Sequence, residues 1–114
     1  MRHSSVASAV MVVISNFPDE ATAQTAAAAL IEARAAACVN ILAPCVSLYR
    51  WRGALEQGRE HPVLVKTTAE RYEEVERILR HCHPYELPEI IAVPAQRGLP
   101  GYLDWVREET SPRP

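Results

Sequence analysis

Apolar residues follow two rhythms along this chain. The first is a short unbroken run. "ASAVMVVIS" (7–15) is rich in β-branched residues, the pattern of a strand covered on both faces. "SNFP" (15–18) predicts its end, and Asp19 and Glu20 then place negative charge at a helix start. The second rhythm has helical spacing. Ten alanines fall between 21 and 37, with Ala26, Leu30, Ala33 and Ala37 recurring on one side. That predicts a helix over 20–37 whose small face lies close on a sheet.

The middle of the chain returns to β patterning. "CVNILAPCVSLYRWRG" (38–53) is long and β-like, and Pro44 divides it into 38–43 and 45–52, because a central strand does not spare that N–H. Gly53 and Gly58 bracket a polar stretch, "GALEQG", which reads as a loop. "HPVLVKTT" (61–68) is the returning strand of a long hairpin. "TTAERYEEVERILRHC" (67–82) is then amphipathic. Tyr72, Val75, Leu79 and Cys82 mark one face, and Glu73–Arg77 and Glu76–Arg80 are i,i+4 pairs on the other. Thr67 and Glu70 have capping-box spacing. Pro84 ends the helix. "PEIIAVP" (88–94) is a short strand. "LPGYLDWVREE" (99–109) is a last helix with Leu99, Tyr102, Leu103 and Val106 inward.

The predicted order is β-α-β-β-α-β-α. Two βαβ-like halves joined by a hairpin make an α+β ferredoxin-like split βαβ sandwich. Its strands are expected in the order 4-1-3-2, all antiparallel, with both main helices on one face. The chain reads as one domain, 1–114, with tails at 1–6 and 110–114.

Composition narrows the function. Twelve basic and fourteen acidic residues give a net charge of −2. Nucleic acid or an anionic membrane surface as the main partner would require a basic patch. No segment approaches the ~20 apolar residues of a membrane helix. The basic, apolar N-terminus leads into "FPDEA" without a clear small-x-small cleavage site, so the expected location is the cytoplasm. Cys38, Cys45 and Cys82 are odd in number, and their spacing fits neither a disulfide framework nor a zinc knuckle, so they read as free thiols.

The densest chemistry is "HPYELPEI" (83–90). In the expected topology, the end of the first strand (Ser15, Asn16), the end of the second helix (Cys82, His83) and residues 86–89 converge there, with Cys38 at the opposite edge. "HCH" (81–83) either ligates a soft metal or caps a helix C-terminus. Adjacent helical positions do not share a face, so at most two of the three converge. Lys66 and Glu89 each stand in an otherwise apolar strand, where a charge needs a partner. With Tyr49, Trp51, Tyr85 and Glu86 they form either one structural salt bridge or a polar cleft for a small ligand.

"AACVNI" (36–41), "SLYRW" (47–51), "VKTT" (65–68), "HPYELPEI" and "YLDW" (102–105), in that order, resemble the CutA divalent-cation tolerance proteins over roughly residues 8–109. The resemblance implies a homotrimer, hairpin strands pairing across subunits, an association with copper and other divalent metals, and intersubunit ligand clefts like those of the PII signalling proteins. The physics agrees with assembly, since Leu48, Tyr49 and Trp51 would leave an unpaired apolar edge on a monomer. Copper ligands proposed in some family members fall at Ser15, Cys82 and His83 here. Only His83 keeps its family type, so the implied metal, copper or another divalent cation, is held weakly.

An enzyme is not expected. The acylphosphatase chemistry known on this fold needs an Arg-bearing loop after the first strand, and "SNFPDE" is acidic, although Asn16 is present. The Cys-x-x-Cys of metal chaperones on the same fold is absent. The expectation is therefore a trimeric, metal-responsive binding and signalling protein. The alternatives are a small-molecule-binding trimer with no native metal or, more remotely, an acylphosphatase-like enzyme.

Overall fold

A computed structural model of the protein describes residues 8–112. The expected N-terminal tail (1–6) and the first residue of the expected 7–15 strand lie outside that range, and the strand itself begins at Val10, not at 7. The elements are β1 (Val10–Phe17), α1 (Glu20–Glu32), β2 (Cys38–Ile41), β3 (Cys45–Trp51), β4 (Ala54–Thr68), a 3-10 turn (Ala69–Arg71), α2 (Tyr72–Cys82), β5 (Ile91–Pro94) and α3 (Pro100–Glu109). The sheet order is β2-β4-β1-β5 with every pairing antiparallel, and β3 pairs with the far half of β4. This is the ferredoxin-like sandwich, with α1 and α2 packed on one face.

Alternation explains the core. Val13, Ser15 and Phe17 of β1 and Val63, Val65 and Thr67 of β4 are buried, as period-2 geometry requires. Ala23, Ala26 and Leu30 of α1 and Val75, Ile78 and Leu79 of α2 cover them. β1 does not stop at "SNFP": Ser15, Asn16 and Phe17 stay in the ladder opposite Val63, Pro62 and His61.

The helix expected over 20–37 ends at Glu32. Arg34 turns into the left-handed region (φ 55°), and Ala35 and Ala36 fold back so that their N–H groups donate to Leu30 O. The freed carbonyls of Ala33 and Arg34 accept from the Arg71 guanidinium. Ala35 O accepts from Thr67 Oγ1 at 2.6 Å. Three tertiary donors thus outweigh alanine's helix propensity, and they leave Ala33 exposed. Thr67 is consequently no cap, and α2 begins after a 3-10 turn. Its ion pair is Glu74–Arg77 at i,i+3, in place of the expected i,i+4 pairs.

"GALEQG" is strand, not loop. The turn is only Arg52–Gly53, both at positive φ (50° and 82°), between the paired Trp51 and Ala54, as in a type I′ hairpin. β4 therefore runs for 15 residues, about 50 Å at ~3.4 Å per residue, and sets the 53 Å long axis. Its far half and β3 form a two-stranded ribbon beyond the sheet. Pro44 breaks β2 from β3 as expected.

β5 begins at Ile91, not at Pro88. In α3 only Val106 is fully buried; Leu99 and Tyr102 are exposed. Thr110 is buried and Ser111 O accepts from Arg34, so these two positions are packed against the body. Among the described residues no helix is long and apolar enough to cross a membrane.

Candidate functional site

The candidate site is a groove of about 940 Å³ between one face of the ribbon and the segment 84–89. Period-2 geometry decides what the ribbon contributes. Tyr49 pairs with Glu56, Ser47 with Gly58 and Cys45 with Glu60, so Tyr49, Ser47, Glu56 and Glu60 share one face. Gly58 leaves that face open: a Cβ there would sit 4.0 Å from the Tyr49 hydroxyl. Trp51, Tyr85, Glu86, Glu89 and Asn16 complete the walls.

The opposite wall is held by His83. Pro84 forces the residue before it out of helical conformation, and His83 is extended (φ −83°, ψ 133°). Its ring turns inward, stacks on Phe17 with centroids 4.3 Å apart, and lies 4.7 Å from the Tyr85 ring. Tyr85 N–H donates to Nδ1 at 3.2 Å, so Nε2 carries the proton and donates to Asn16 O at 2.6 Å. Burial pushes the imidazole pKa below its ordinary value, against opposing pulls from the Asn16 carbonyl and the Glu60 charge. The ring is a neutral brace joining β1, α2 and the groove wall.

The structure does not bring the expected rim residues, Ser15, Cys82 and His83, together as a ligand set. Both His83 nitrogens are engaged within the chain, leaving no lone pair for a cation. Cys82 packs partly buried against the core, and His81 is exposed. Ser15 Oγ is fully buried with no hydrogen-bond partner among the described residues. Among the described residues no three His, Cys, Asp or Glu side chains gather to hold a metal ion.

The expected cleft residues divide. Tyr49, Trp51, Tyr85, Glu86 and Glu89 line the groove. Lys66 does not. It lies on β4 opposite Cys38, at the other end of the sheet, and donates to Asn40 Oδ1. The partner of Glu89 is the Asn16 side-chain amide (2.9 Å), and that of Glu86 is Arg52 (2.8 Å), whose guanidinium stands 5.1 Å over the Trp51 ring. Burial and the neighbouring Glu60 carboxylate push the Tyr85 phenol up to about 12, so it stays neutral. Glu56 was missed because "GALEQG" reads as a loop and Glu60 because the returning strand reads as starting at His61; alternation counted forward from a two-residue Arg-Gly turn would have found both.

These features define a class: a ferredoxin-like α+β subunit carrying a projecting β-ribbon, with an acidic, aromatic groove at its root. The family described as "CutA1 divalent ion tolerance protein" matches residues 11–109. The divalent-cation tolerance protein CutA of Thermus thermophilus is 44% identical over 99 residues, 87% of this chain and 96% of that protein. Mouse protein CutA is 39% identical over 93 residues, 82% of this chain and 52% of its own length. Among solved structures, CutA from Xylella fastidiosa superposes with a TM-score of 0.88 at 40% identity, covering 91% of this chain and all of that one. The chain belongs to the CutA1 divalent ion tolerance family.

Proposed function

We propose that this chain works as a homotrimeric, non-enzymatic binding and signalling protein of divalent-cation tolerance, taking its cationic ligand in the groove at the root of the ribbon. The observation that carries the reading is the groove's lining. Among the described residues it presents Glu56, Glu60, Glu86 and Glu89, and no lysine or arginine. Such a site repels anions and draws cations. A divalent ion such as copper finds carboxylate oxygens there without a closed chelate, which matches weak, reversible binding.

Assembly is supported by the ribbon. An isolated two-stranded hairpin is marginal in water, and this one exposes Val46 at 56%, Leu48 at 66% and Leu55 at 73%. A neighbouring copy would cover them. The expected compartment is the cytoplasm, where Cys38, Cys45 and Cys82 stay reduced.

The test pairs mass measurement in solution with copper(II) calorimetry on the wild type, Glu60→Gln and His83→Ala. A trimer is expected, with weak copper binding that Glu60→Gln lowers and His83→Ala leaves intact. A monomer, or copper affinity unchanged in Glu60→Gln, contradicts the reading.

A further inference from the structure

The groove's charges are strung out rather than gathered. Glu56 and Glu60 lie on the same face of one strand, four residues apart, which places their Cα atoms about 13 Å from each other. One metal ion cannot touch both. Between and around them stand the rings of Tyr49, Trp51 and Tyr85. Aromatic faces attract ammonium and guanidinium groups and pack against methylenes, and they offer a small hydrated metal ion little.

The chain already shows this recognition once. Arg52 sits over Trp51 while its guanidinium reaches Glu86. Both partners of that pair are largely exposed, 68% and 74%, so the contact is weak and displaceable. Glu56 and Glu60 form no ion pair among the described residues.

We infer that the groove takes an extended aliphatic polyamine, its methylenes against the tyrosine and tryptophan rings and its ammonium groups at the separated Glu56 and Glu60 carboxylates. The inference rests on the groove being the ligand site. Charge complementarity, spacing and aromatic walls together select this class over a point cation. Arg52 is then a tethered competitor at the groove's outer end.

The experiment is calorimetry on the intact protein with spermidine, butylamine and copper(II) chloride, each alone, with thermal melts confirming that the variants fold. Spermidine should bind about tenfold more tightly than butylamine, and Glu56→Gln and Glu60→Gln should each weaken spermidine about two- to fivefold, as expected of partly exposed charge pairs. Arg52→Ala should strengthen it by about twofold by releasing Glu86. Equal binding of spermidine and butylamine overturns the inference, as does spermidine affinity indifferent to both glutamate variants. Copper binding that falls in Glu60→Gln, with no spermidine binding, overturns it while leaving the groove as the ligand site. Binding of none of the three overturns both.

Discussion

His83 is the residue on which structural and metal-binding roles part most sharply, and His83→Ala separates them. The substitution removes the hydrogen bond to Asn16 O and the acceptor for Tyr85 N–H. It also removes the stack on Phe17, a ring that is itself fully buried. Two net hydrogen bonds contribute about 1–3 kcal/mol together, and an aromatic stack about 0.5–1.5. Both bonds are part-buried, so the freed Tyr85 N–H and Asn16 O add a desolvation cost that places the loss toward the upper part of that sum. The expected loss is about 2–4 kcal/mol. Urea unfolding followed by Trp51 and Trp105 fluorescence, at one fixed protomer concentration because assembly adds to stability by mass action, measures it. Chelator should change neither variant nor wild type. A loss below about 1 kcal/mol accompanied by a collapse of copper affinity would show that the ring serves a metal and not the fold.

The same ring predicts a pH dependence. Its folded pKa is lowered, so between that value and the unfolded value near 6.5 the unfolded chain binds more protons; stability should fall as pH drops through this window, and His83→Gln should flatten that part of a urea-midpoint profile. Ser15→Ala should be neutral or stabilising by up to about 1 kcal/mol in thermal melts, because it deletes a buried hydroxyl without a partner among the described residues. Gly53→Ala should destabilise by about 1 kcal/mol or more, read from the same melts, since alanine is strained at φ 82° in the ribbon turn. A gain in stability from Gly53→Ala would show that the turn is not built on that conformation.

Local pattern by itself determined much of this protein. The β-branched run of β1, the helical periodicity of α2, the Pro44 break and the Pro84 stop are short-range facts of sterics and alternation, and they suffice for the order of elements and hence the sandwich. They also bring "HPYELPEI" to the end of β1, where Asn16 meets both His83 and Glu89. What only tertiary structure decided lies where a distant partner outbids local preference. The alanine-rich helix ends at Glu32 because Arg71 and Thr67, far along the chain, take the carbonyls of Ala33, Arg34 and Ala35 just past its end. "GALEQG" becomes strand because β3 supplies a ladder to residues with little strand propensity of their own, and that ladder carries Glu56 and Glu60 into the groove. Lys66 looks like a cleft residue in sequence, but register puts it opposite Cys38, where Asn40 meets its charge. Sequence types the side chains; which carboxylate faces which ring follows from strand pairing, and pairing is a property of two segments at once.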